Sequence, residues 1–254
     1  MHLITQFPWR LVIGNFKIPL HFILQDSGIF IAIRYYVILK KRTTDIIDKE
    51  NRFAIFVFAT VGAVVGAHLL GALETPKTFF QSAQKLEELT GNATILGGLV
   101  GGVLFVEVYK LFLGIKTGTG DLFLKPLILG MSIGRVGCFL TGVAEQTYGV
   151  KTSLLWGMNL GDGVPRHPVA LYEIVFLILV GGLIHRFKSH LSQLDGDLFK
   201  WFMVFYLIFR FLLDFIKPGD RYFLGLGTIQ ITALIGLIYY FFFIFRFYKK
   251  SKCR

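Results

Sequence analysis

Three short stretches carry residue types able to do chemistry in otherwise apolar surroundings. The first is GMSIGRVGCFLTG, Gly130 to Gly142, which sets Arg135 among small and apolar neighbours. An arginine near the centre of a membrane helix costs roughly 2.5–3.5 kcal/mol on insertion scales, so it ordinarily faces a polar cavity or a partner. Gly134 and Gly137 clear space beside it, and Thr141 lies near the same face. The competing reading is snorkelling to an interface, since the apolar run ends shortly afterwards. The second stretch holds Arg210 and Asp214, four residues apart on one helix face and able to pair. Lys217 and Asp220 extend its polar character into a KPGD turn. The third, PRHPVALYE, places Arg166 and His167 before Pro168, where a helix would begin, with Tyr172 and Glu173 near its first turn. Glu145 and Tyr148-Gly149 follow the Arg135 segment onto the same side. The expected arrangement is an outward-opening cavity with several cations. Guanidinium forks bind phosphate oxygens bidentately, so a phospholipid head group is the expected ligand.

The elements that must position these groups are membrane helices. Of 254 residues 54% are apolar and 17% charged, with a mean hydropathy of +0.62. A soluble domain of that size needs far more polar surface. Seven apolar runs are long enough to cross a hydrocarbon layer of about 30 Å. They are Leu20–Leu39, Phe53–Leu73, Ala93–Leu113, Leu122–Val143, Val169–His185, Leu198–Ile216 and Leu224–Phe245. The first is the weakest, because it carries His21, Gln25, Asp26 and Arg34. No unbroken apolar core precedes it, so no signal peptide is expected in Met1 to Pro19. The fold class is therefore an all-α integral membrane protein of about seven transmembrane helices, forming a single domain over residues 1–254.

The net charge of +11 is unevenly spread. With the N-terminus outside, the segments facing the cytoplasm hold 16 basic residues and the opposite side 8. That bias favours N-terminus out and C-terminus in. It places Cys253 in the cytoplasm and the Glu74–Asn92 and Ala144–Pro168 loops outside. Basic charge so arranged meets anionic lipid, and no nucleic acid is expected as a partner. Cys138 and Cys253 provide neither a disulfide framework nor metal-ligand spacing, so neither a metal nor a cofactor is expected. Gly62 with Gly66, Gly97 with Gly101, Gly98 with Gly102 and Gly130 with Gly134 have the spacing that lets helix backbones approach closely in lipid.

The ordered set of motifs resembles the prolipoprotein diacylglyceryl transferase family over roughly residues 27–235. GRVGCFLTG resembles its Gly-Arg-x-Gly-Asn-Phe-Ile-Asn-Gly-Glu signature, and RHPVALYE its Arg-His-Pro-(Ser)-Gln-Leu-Tyr-Glu segment. FRFLLDFIKPGD, GLGTIQITAL and ILGGLVGG resemble further family segments in the family's order. The resemblance puts Arg135 on the signature arginine, Arg210 on a later essential arginine and Asp214 on its acidic companion. Arg166, His167, Tyr172 and Glu173 align directly, and Glu145 and Gly149 align after a short insertion. Cys138 and Thr141 stand at the two signature asparagines, Leu96 at the histidine of the third helix, Ser27-Gly28 at a Tyr-Gly pair and Lys217 at an arginine.

The resemblance implies an enzyme of the bacterial cytoplasmic (inner) membrane that binds phosphatidylglycerol through Arg135, Arg210, Arg166, Cys138 and Thr141. Its acceptor would be the cysteine thiol of a membrane-anchored prolipoprotein. Asp214, Glu173, Tyr172 and Gly149 would support the site. With Leu96 in the histidine position, another group must take the thiol proton. His167 is the expected base, since imidazole is best matched to that task near neutral pH, and Glu145 is second. A paralogue acting on another acceptor, and a phospholipid-binding protein without catalysis, are the alternatives the residues leave open.

Overall fold

The computed structural model describes residues 2–4, 6–43, 47–76, 79, 92–222 and 224–252. Most of the Glu74–Asn92 loop, part of the Lys40–Arg52 loop and Cys253 lie outside the described residues. Helices dominate: α1 (Leu20–Arg42), α2 (Lys49–Glu74), α3 (Ile95–Leu113), α4 (Asp121–Thr141), α5 (Val169–Arg186), α6 (Asp197–Leu213) and α7 (Thr228–Lys252). Each covers one of the seven apolar runs. Among the described residues six of these are long and apolar enough to cross a membrane, and the protein is an all-α integral membrane protein. The remaining helix, α6, has 17 residues and continues into a 3-10 turn, Asp214–Ile216. Apolar side chains stand out from the helices, Phe112 at 85% exposure and Phe242 at 75% among them. Water would penalise such a surface and acyl chains would not.

The chain forms two compact units. The first contains Met1–Thr43, Thr119–Phe205 and Phe215–Pro218. It opens with three short antiparallel strands, β1 (His2–Ile4), β2 (Arg10–Ile13) and β3 (Phe16–Pro19), in which Arg10 pairs with Pro19. Trp9 N–H donates to the Leu140 carbonyl at 2.9 Å and Leu20 N–H to the Trp9 carbonyl at 3.1 Å. These bonds fix where α1 begins relative to the end of α4. Along the α1–α4 contact a Cβ on Gly28 would meet the Gly130 carbonyl at 3.0 Å, and Tyr36 stacks on Phe123 with ring centroids 4.6 Å apart. Asp121 at the start of α4 accepts from the Gly196 and Phe199 amides at 3.0 and 2.9 Å, tying down the start of α6. A two-stranded ribbon, β4 (Met158–Asn159) with β5 (Pro165–Arg166), shapes the loop between α4 and α5.

The second unit contains Thr44–Gly118, Tyr206–Asp214 and Gly219–Arg254. Its centre is the α2–α3 pair. A Cβ added to Gly62, Gly66, Gly97 or Gly101 would penetrate the facing helix backbone, so these positions admit nothing larger than glycine. Thr94 caps α3 by accepting from Gly97 N–H at 3.1 Å, and Gly114 ends it in the left-handed region at φ 66°. Thr228 Oγ1 donates to the Leu73 carbonyl at 2.7 Å, joining the start of α7 to the end of α2.

Candidate functional site

Arg135 occupies the last two turns of α4 and is 9% exposed. Its Nε stands 2.9 Å from Glu173 Oε2, and Glu173, in the second turn of α5, is completely buried. A carboxylate taken fully out of water must be paired, and this one holds the guanidinium in a fixed orientation. One helical turn further along α4, Cys138 Sγ accepts from Arg135 Nη1 at 3.6 Å. Cys138 Sγ, a His21 ring nitrogen and a Glu145 carboxylate oxygen lie within 4.8 Å of one another. His21 Nδ1 is 3.7 Å from Glu145 Oε2.

Local sequence explains why these three meet. His21 is the second residue of α1, whose start the Trp9 carbonyl fixes. Gly137 lets it come close, since a Cβ there would lie 3.2 Å from His21 Cα and carbonyl oxygen. Glu145 follows the 3-10 turn Gly142–Ala144, which begins at φ 63° on Gly142 and is anchored by Val143 N–H to the Leu160 carbonyl at 3.1 Å. Any side chain at Gly142 would be strained and would collide with that carbonyl. Thr141 is buried, and its hydroxyl donates back to the Gly137 carbonyl at 3.0 Å.

The α4–α5 loop presents the third motif. Arg166 Nε donates to Asp162 Oδ2 at 2.8 Å, and its guanidinium lies 5.0 Å above the Tyr148 ring centre. That bond holds the Asp162 carboxyl below the usual carboxylate range. His167 Nδ1 is 3.1 Å from Tyr172 Oη, which also accepts from Trp156 Nε1 at 2.9 Å. Gly149 N–H donates to the His167 carbonyl at 3.0 Å and His167 N–H to the Val150 carbonyl at 3.2 Å. A Cβ at Gly149 would meet the His167 and Ile216 carbonyl oxygens at 2.9 and 3.0 Å, which accounts for glycine there.

In the second unit Arg210 is 3% exposed near the end of α6. Asp214 opens the 3-10 turn that follows α6, where its Oδ2 accepts from Arg221 Nη1 at 2.8 Å. The same Nη1 donates to Gln230 Oε1 at 2.7 Å, and Gly227 N–H donates to that oxygen at 3.0 Å. Gln230 is fully buried.

Comparison with known proteins decides what this set of motifs belongs to. The chain matches the prolipoprotein diacylglyceryl transferase family over residues 8–248. It belongs to that family. It is 26% identical to the phosphatidylglycerol–prolipoprotein diacylglyceryl transferase of Finegoldia magna over 214 residues, 82% of each chain. It is 33% identical to the enzyme of that name from Bordetella parapertussis over 193 residues, 72% of this chain and 71% of the relative. The Dehalococcoides mccartyi protein of the same name is 24% identical over 234 residues, 90% and 88% of the two chains. The family is one of transferases.

Two residues beside the named candidates escaped the sequence. His21 counted there only as a polar interruption of the first apolar run. The cost of an imidazole within a span was the one signal that could have marked it as functional. Arg221 lies beyond the KPGD turn, outside any helical repeat, so spacing could not link it to Asp214. Leu96, at the family's histidine position, is fully buried in α3.

Proposed function

We propose that this protein transfers the diacylglyceryl group of phosphatidylglycerol to the cysteine thiol of a membrane-anchored prolipoprotein, in the bacterial cytoplasmic membrane. The observation that carries the proposal is the buried Arg135–Glu173 pair on the family's signature segment. Arg135 is a cation oriented before any ligand arrives, as a site for a phosphodiester requires. In the reaction the acceptor thiolate forms a sulfur–carbon bond at the diacylglyceryl methylene. The carbon–oxygen bond to phosphate breaks, and glycerol 1-phosphate departs with the electron pair. Arg135 and Arg210 stabilise the charge that builds on the leaving phosphate, with Arg166 in support. His167, oriented by Tyr172, takes the thiol proton, with Glu145 as the second candidate. Cys138 and Thr141 line the head-group position, and Asp214, Glu173 and Gly149 keep the surrounding elements in place.

The test is complementation. In a host depleted of its own transferase, expression of this chain restores lipidation of prolipoproteins, read as their mobility shift and incorporation of labelled acyl chains. Correct membrane insertion without lipidation overturns the proposal. Tight phosphatidylglycerol binding by the same purified protein would then point to a lipid-binding role without transfer.

A further inference from the structure

We infer that His21, Cys138 and Glu145 form a zinc site whose fourth position is taken by the thiol of the acceptor cysteine. The inference rests on the transfer reading above and supplies the thiol activation that the family histidine cannot supply where Leu96 stands. One imidazole nitrogen, one thiol sulfur and one carboxylate oxygen lie within 4.8 Å of one another. Mixed sulfur, nitrogen and oxygen donors suit zinc, whereas magnesium and calcium take oxygen. With metal–ligand bonds of about 2.0–2.3 Å, donor atoms around a tetrahedral ion stand roughly 3.2–3.8 Å apart. His21 Nδ1 and Glu145 Oε2, at 3.7 Å, stand a few tenths of an ångström from the roughly 3.3 Å that a nitrogen–oxygen pair needs.

A second observation points the same way. His21 Nδ1 is closed to solvent and faces the Cys138 thiol and the Glu145 carboxylate, whose Oε2 at 3.7 Å is too distant for a hydrogen bond. A ring nitrogen shut away from water beside a thiol and a carboxylate has its lone pair placed for a metal ion that those two groups also reach. Three protein ligands leave one position open, the pattern of catalytic rather than structural zinc. Glu145, at 36% side-chain exposure, faces outward, which gives ion and acceptor a way in. Arg135 does not oppose the ion, because the Glu173 carboxylate balances its charge. Its Nη1 instead donates to Cys138 Sγ, the outer hydrogen bond that orients and tunes a metal thiolate.

The chemistry balances. The acceptor thiol binds as thiolate and its proton passes to His167, the base of the transfer reading. The sulfur then forms its bond to the diacylglyceryl carbon, the carbon–oxygen bond to phosphate breaks, and glycerol 1-phosphate leaves. The resulting thioether is a weaker ligand than the thiolate and departs, and the metal is neither oxidised nor reduced. This reading turns Glu145 from a spare proton acceptor into a ligand and leaves Cys138 unalkylated.

The experiment uses the full chain in detergent or lipid nanodiscs, with Zn2+ and Co2+ as probes and no lipid donor or acceptor present. Exhaustively dialysed protein is expected to hold one equivalent of zinc. Its cobalt form is expected to show a thiolate-to-cobalt charge-transfer band with tetrahedral d–d bands. Cys253→Ser keeps that band. Cys138→Ser abolishes it, and His21→Ala and Glu145→Gln each weaken metal affinity at least tenfold. Adding a short peptide with one cysteine to the cobalt form intensifies the charge-transfer band. No zinc in the unmutated protein, no thiolate band, or a band that survives Cys138→Ser overturns the inference. The metal is measured without turnover, so the two readings fail separately. Lipidation in cells by a protein that binds no zinc sinks the metal site alone. A zinc-loaded protein that does not lipidate sinks the transfer reading alone.

Discussion

At the scale of single residues, the Arg135–Glu173 pair joins a cation to a completely buried carboxylate. Removing one partner of such a pair strands the other, at a cost of about 3–5 kcal/mol. Arg135→Ala should therefore abolish transfer while some protein still inserts, and Glu173→Gln should cut transfer strongly by loosening the guanidinium. Comparable turnover and phosphatidylglycerol binding in Arg135→Ala, at equal membrane abundance, would remove its phosphate role. His167→Gln should lower the chemical step far more than lipid binding, in a single-turnover assay set beside a binding measurement. Full activity in that variant removes His167 as the base. Arg135, Glu173 and His167 were legible in the sequence because each is an improbable residue type for its surroundings. Who pairs with whom was not. The contacts between Arg135 and Glu173, and among Cys138, His21 and Glu145, join different helices or loops, and periodicity within one segment cannot register them.

At the scale of elements, hydropathy was informative, since all seven apolar runs became helices. Lipid leaves a chain no other economical way to satisfy its backbone polar groups. What hydropathy could not convey was the small β-structure at the start of α1 and in the α4–α5 loop, where short strands carry no strong alternation. Glycine spacing marked Gly62, Gly66, Gly97 and Gly101 as close-packing positions without saying which helices meet, and the structure explains why they must be glycine. Gly101→Leu would drive a branched side chain into the Gly62–Gly66 backbone. It should reduce folded yield and lower the detergent-solubilised melting temperature, while Gly134→Ala, where nothing lies within 4 Å, should leave both unchanged. Equal melting temperatures for the two variants would show that the α2–α3 contact contributes no stability.

At the scale of the whole molecule, orientation follows from charge. The surplus of basic residues on alternate segments predicts an outer N-terminus and a cytoplasmic C-terminus. An impermeant thiol reagent applied to intact cells should leave Cys253 unlabelled until the membrane is opened. A cysteine introduced at exposed Leu155, in the α4–α5 loop, should label at once. The reverse pattern inverts the topology and would put the site on the side away from an exported acceptor.

The shortness of α6 has a consequence for the bilayer itself. At 1.5 Å per residue its 17 residues span about 25 Å, less than a hydrocarbon layer of about 30 Å. Hydrophobic mismatch of this sign favours thinner lipid where the helix meets acyl chains, as at exposed Ile208 and Leu212, beside the end that carries Arg210 and hands over to Asp214. A head group there travels less far from the interface to reach a buried cation. In vesicles of graded acyl-chain length, turnover should peak in thin bilayers and fall as the chains lengthen, with the apparent affinity for the lipid donor falling in step.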